Sequence, residues 1–176
     1  KQVAGIRDLI YTKSRVISLA SLLKLEKELL AHNLHSELSE VYRALKKLHS
    51  EDEQFYYYSQ LYNEQVALVH AINLAEDYSA SYYRFFKYYL LDASDLNELK
   101  LNATLNELKE LSEMNESKRL DLLYLCVQVF HDIYFKQDSM TRILAKITQA
   151  KEIIELHLND SLYYQLDIVA EYHQCL

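Results

Sequence analysis

A chain of 176 residues, half of them apolar and about a quarter charged, can bury a core without disulfides or metals, and with no proline and a single glycine it is poor in helix breakers. Its net charge of −7 and scattered basic residues leave no cationic stripe for a phosphate backbone, which argues against nucleic acid as a partner. One glycine also excludes the Gly-rich phosphate loops of P-loop and dinucleotide-binding enzymes and the G-x-S-x-G turn of serine hydrolases.

Apolar spacing predicts an all-α chain of seven or so helices in a single domain, 1–176. The first helix runs from about 5 to 31 with Val16, Leu19, Ala20, Leu23 and Leu30 as its apolar face. The second covers 36–49 through Leu38, Val41, Leu45 and Leu48. From about 53 the chain continues without a breaker, and the polar cluster Glu76, Asp77, Ser79 and Ser81 predicts a break at 78–80. Residues 95–113 carry the stripe Leu101, Leu105, Leu108 and Leu111. Segment 117–136 is apolar on nearly every side, through Leu120, Leu122, Leu123, Leu125, Val127, Val129, Phe130 and Ile133, so it requires neighbours on both flanks as the central helix of its half. One-sided helices follow at 139–158 (Met140, Ile143, Leu144, Ile147, Ala150, Ile154, Leu158) and 161–175 (Leu162, Leu166, Val169, Ala170). Asp121, Gln128 and Asp132 interrupt the most hydrophobic segment, so membrane insertion is not expected.

Ser50 with Glu53 and Asp95 with Glu98 have the spacing of reciprocal helix caps, and Asn115, Asp138 and Asp160 mark similar junctions. A helix plus turn thus recurs about every 20 to 23 residues, a hairpin about every 43. LKKLHSEDE at 45–53 and LKELSEMNE at 108–116 each close one helix and open the next. Stacked repeats leave such a signature, and so does chance likeness between two amphipathic helix ends. With Ala67, Ala71 and Ala75 as small residues in VALVHAINLAED, preceded by Tyr58 and Tyr62, the chain resembles the tetratricopeptide class of helical repeats, in arrangement rather than in consensus letters. That resemblance implies antiparallel helical hairpins stacked as a short right-handed α-solenoid whose concave face binds peptides or protein segments. An irregular helical bundle is the alternative architecture.

Glu28, His32 and His35 fall at i, i+4 and i+7 and could offer a carboxylate and two imidazoles to a metal if the helix continued that far. Histidines at a solvated helix end, near the negative pole of the dipole, account for them more simply. His157 with Glu155 and Asp160 is a turn cluster without helical spacing. No paired E-x-x-H pattern of the di-metal bundles is found, and no cofactor or metal is expected. His70 and His131 lie within apolar helices and read as satisfied core or groove residues. Cys126 in LLYLCVQVF reads as a small hydrophobe, and Cys175 forms no metal spacing with it. The N-x-S/T triplets at Asn102, Asn115 and Asn159 read as coincidence, two of them at turns.

Sixteen tyrosines without a tryptophan are clustered at Phe55–Tyr58 with Tyr62, at Tyr78–Tyr89, and at Tyr163, Tyr164 and Tyr172. In SYYRFFKYYLL, Tyr82, Phe85, Phe86 and Tyr89 share one side of a helix, while Tyr83 and Tyr88 point elsewhere. These rings are either packing seams with emerging hydroxyls or a groove for a peptide or partner helix, lined by Tyr58, Tyr62, Tyr82, Tyr83, Phe86 and Tyr89. A stacking platform for carbohydrate or bases is disfavoured by the lack of Trp and of basic residues. The expected function is a noncatalytic interaction module that binds a protein segment or a copy of itself. The alternative is an all-helical enzyme or metal-binding bundle with an enclosed polar pocket. A cytoplasmic location is expected, and the start at Lys1 leaves a removed signal peptide open.

Overall fold

A computed structural model describes Ile6 and residues 14–136 and 140–155. Among the described residues it is all-helical: α1 (Arg15–Ala31), α2 (His35–Leu48), α3 (Gln54–Leu91), α4 (Asp95–Met114), α5 (Lys118–His131) with a π-helical turn at Asp132–Lys136, and α6 (Met140–Glu155). The chain divides into two compact units, Lys1–His70 and Ala71–Leu176, and α3 contributes residues to both. The expected helix at 161–175, together with His157, Asp160 and Cys175, lies outside the described residues, as do 5 and 7–13 of the first expected helix.

In the first unit α1 buries Ser18, Leu22, Leu25 and Leu29, the face opposite to the one expected. Val16, Leu23 and Leu30 remain exposed and Leu19 is half-buried. Both faces are apolar, and Lys27 decides between them. It stands in the middle of the Val16, Ala20, Leu23, Leu30 stripe, where burial would strip an ammonium of water. The leucine face packs with Leu38, Val41, Tyr42, Ala44 and Leu45 of α2 and Tyr58 of α3 into one core, which also holds Ile6. Leu22, Val41 and Leu45 are fully buried, each removal from water contributing about 1.5–3 kcal/mol before chain entropy is counted. Asn33 makes the reversal between α1 and α2 at φ 52°, a left-handed conformation that asparagine tolerates, and the amides of His32 and Leu34 both donate to Leu29 O.

α3 is capped by Asp52, whose Oδ1 accepts from the Gln54 amide at 3.0 Å, and not by Ser50. The break expected at 78–80 does not occur. With neither proline nor glycine to end the helix, the Ser79 hydroxyl donates to the Ala75 carbonyl at 2.7 Å within the ladder. Glu76 is held by Arg119. One 38-residue helix therefore stands where the sequence spacing places two.

In the second unit α4 begins one residue earlier than the cap pattern implied. Ser94 is the capping position and makes no side-chain bond to the helix, while Asp95 and Glu98 lie in the first turn, where the helix dipole favours carboxylates. Leu101, Thr104, Leu105 and Leu108 are buried. α5 is the centre of its unit, as its all-round apolar sequence requires. It packs against both α4 and α6 and buries residues from Leu120 to His131 on every side. α6 adds Ile143, Ile147, Ala150, Ile153 and Ile154, while Leu144 is exposed. Among the described residues, no helix is long and apolar enough to cross a membrane.

Candidate functional site

The aromatic run of α3 meets α5 and the π-helical turn along a seam of rings. Tyr82 stands edge-on to Phe130 at 6.2 Å, Phe86 to Phe130 at 4.7 Å and to Phe135 at 5.8 Å, and Tyr89 lies 4.8 Å from Phe135. Edge-to-face pairs of this kind add about 0.5–1.5 kcal/mol each to the burial of their area. With Glu76 on Arg119 at one end and Tyr89 on Phe135 at the other, the contacts advance together along both helices. The C-terminal part of α3 and α5 thus run in the same direction, with α4 as the return stroke.

Buried polar side chains of the seam are paired with one another or with a cation of α6. Tyr82 is fully buried and its hydroxyl lies 2.8 Å from Nδ1 of buried His131, which accepts when the imidazole carries its proton on Nε2. Burial, with Tyr83 and Asp132 nearby, holds the Tyr82 hydroxyl well above the ordinary tyrosine range. Burial raises Tyr124 as well, reinforced by Asp132 and Glu113. Asp132 begins the π-helical turn, fully buried, and accepts from the Lys146 ammonium of α6. π-Helical turns often accompany functional sites. Here the turn places Tyr134 4.6 Å from Phe130 and stacks Phe135 on His131 at 5.1 Å. The seam is a joint of ring against ring.

The six residues expected to line one groove have different fates. Tyr58 is a core side chain of the first unit, 5.2 Å from the His49 ring, and Tyr62 is half-buried beside it with the Lys46 ammonium 5.6 Å away. Tyr82 is core in the second unit, Phe86 and Tyr89 are half-buried in the seam, and Tyr83 is at its exposed edge. Buried Tyr58 and Tyr82 offer no ring face to a peptide, because both rings already meet aromatic neighbours. Phe85, on the same helical side by spacing, is covered by the cations of Arg84 and Lys100 at 5.5 and 5.9 Å.

The metal-ligand spacing is not realised. α1 ends at Ala31, and the turn through Asn33 sends His35 into α2, where its Nδ1 lies 2.9 Å from Gln65 Oε1. No group of three or more metal-binding side chains occurs among the described residues. His70 is exposed rather than in core or groove. Cys126 is buried and its thiol is pushed up to about 12, so it is inert as a nucleophile at neutral pH. His49, Arg15 and Asp52 converge in the first unit, but they do so on the α3 cap. The His49 hydrogen bond, with Gln54 and Arg15 adding to it, keeps the Asp52 carboxyl below its usual range.

Sequence spacing overlooked the corner where α3 turns into α4. Leu90, Leu91, Leu96 and Leu99 are exposed there with Tyr88, Leu91 to 79%. The corner is ordered by its own bonds: Asn97 Nδ2 donates to Asp92 O at 2.9 Å, and the amides of Asn97 and Glu98 donate to Ser94 O. The overlooked signal was YYLLDASDLNEL, apolar pairs on both sides of a capped turn. No protein-family model, curated protein or solved structure matches the chain.

Proposed function

We propose that the chain is a noncatalytic module that binds an apolar segment of another protein, and that the corner between α3 and α4 receives it. The observation that carries the reading is the row of exposed leucines on both sides of residues 92–94. Singly exposed apolar residues are ordinary on a protein surface, but turns are the segments most expected to be polar. Four leucines and a tyrosine at one rigid turn suit a partner that covers them. Within the second unit, α5 packed on α4 and the common direction of α5 and the C-terminal part of α3 support a tetratricopeptide-like arrangement there, in which alternate helices run parallel.

The test is the double variant Leu91→Ser, Leu96→Ser. Both positions are exposed, so circular dichroism should show wild-type helicity. Capture from native extract with a photocrosslinker near Leu91 should retain a protein on the wild type and lose it on the variant. If the same proteins are retained by both, the corner is not the binding surface.

A further inference from the structure

We propose that His49 and Asp52 form a proton-controlled clasp over the junction of α1, α2 and α3, firm while His49 is charged and looser once it is neutral. One carboxylate gathers three helix ends there. Asp52 Oδ1 accepts from the Gln54 amide that opens α3 at 3.0 Å, and its Oδ2 accepts from Arg15 Nη2, at the start of α1, at 2.9 Å. His49, the residue that follows α2, places Nδ1 3.0 Å from Oδ1 and 2.8 Å from Oδ2. Of these three donors, only an imidazole changes its charge near neutral pH. The His49 ring also stacks on the core ring of Tyr58 at 5.2 Å, with its side chain 13% exposed, so it is held against Asp52 in either charge state.

The two partners titrate in opposite senses. The His49 hydrogen bond is the first cause that keeps the Asp52 carboxyl below its usual range, so the stability it contributes is present above the ordinary carboxyl value and lost only as pH falls through the lowered one. Histidines lose their charge between about pH 5 and 8. Above that window a neutral imidazole keeps the contact only with its proton on Nδ1, and charge-assisted hydrogen bonds are roughly twice as strong as neutral ones. The clasp is therefore firmest at weakly acidic pH and loosens as pH rises through the histidine window. Beside it, α1 supplies Arg15 and Glu26, the last turn of α2 Lys46 and Lys47, the connecting turn Glu51 and Glu53, and α3 Tyr57 and Tyr58. Arginine, lysine, glutamate and tyrosine ordinarily keep one charge state across this window, and burial moves the Tyr58 phenol further above it.

The clasp lies in the first unit and does not depend on the α3–α4 corner. The experiment is a pH titration of the full, isotope-labelled chain by nuclear magnetic resonance, following the His49 ring and the Gln54 and Phe55 amides, which donate to Asp52 Oδ1 and Asp52 O. The ring and the Gln54 amide should move with one shared midpoint. Hydrogen-exchange protection of Gln54 and Phe55, corrected for intrinsic rates, should be about threefold to tenfold greater at about pH 5.5 than at about pH 8. His49→Gln keeps a donor near Asp52 that does not titrate, and Asp52→Asn keeps the cap acceptor without its charge, so each should make this protection independent of pH while circular dichroism shows wild-type helicity. A Gln54 amide that stays flat while the His49 ring titrates overturns the proposal. So does protection that is equal at both pH values or greater on the alkaline side, and so does pH dependence that survives in His49→Gln, which would assign it to another histidine.

Discussion

Replacing Tyr82 separates its two roles in the seam. Tyr82→Phe keeps the ring against Phe130 and removes the hydroxyl that lies 2.8 Å from His131, so it should cost about 1 kcal/mol, the net value of one buried hydrogen bond. Tyr82→Ala removes a fully buried ring with its edge-on contacts to Tyr83 and Phe130 and should cost about 4 kcal/mol. Urea unfolding followed by ellipticity at 222 nm measures both, and a cycle with His131→Gln should return a coupling of about 1 kcal/mol between the two side chains. The loss should fall on the unfolding of the second unit, while Tyr58→Ala acts on the first. A Tyr82→Ala protein within about 1 kcal/mol of wild type would show that this ring is not core and return the aromatic run to the binding-face reading.

Alkali should unfold the protein cooperatively. Tyr42, Tyr58, Tyr82 and Tyr124 all have raised values, burial being the first cause in each, so the stability they contribute is complete below the unfolded tyrosine value of about 10 and lost as pH rises toward their folded values. Absorbance at 295 nm should show these phenols ionising together with the loss of helicity, and independent ionisation in the folded state would contradict their burial. Lys146→Met removes the cation from a fully buried carboxylate and should cost about 3 kcal/mol in urea unfolding. Adding Asp132→Leu should recover most of it, and no recovery would mean that the pair does more than neutralise Asp132. In a Cys175→Ser background, Cys126 should react with a thiol-specific disulfide reagent only as fast as the unit opens, so rapid labelling at pH 8 would place it nearer solvent than the structure does.

The central helix was legible because Leu120, Leu122, Leu123, Leu125, Val127 and Val129 leave no side of α5 for water, and no arrangement of neighbours changes that. α1 was misread for the opposite reason. Two apolar faces satisfy the same spacing rule, and only the lysine in one of them separates the core from the surface. The break at 78–80 rested on serines and acids that can cap a helix, but the same groups also sit within one, Ser79 by bonding back to Ala75 and Glu76 by reaching Arg119. For the aromatic run, helical spacing correctly grouped Tyr82, Phe86 and Tyr89. It could not say what covered them, because Phe130 and Phe135 are more than forty residues away in the chain. The corner leucines were unreadable as a surface because α4 already has a stripe in Leu101, Leu105 and Leu108, and an extra leucine outside a stripe carries no direction of its own.

The π-helical turn at Asp132–Lys136 gives this stretch one residue more than an α-helical path would use. A π turn closes its hydrogen bond one residue further on than an α turn, so its five residues carry the chain about as far around the axis as four α-helical residues would. A one-residue deletion that restored the α ladder would leave Phe130 facing Phe86, and its cost should fall on the rings that the wide turn adds to the seam, Tyr134 and Phe135. The turn thus gathers rings on one side of the chain without turning the helix away from its neighbour.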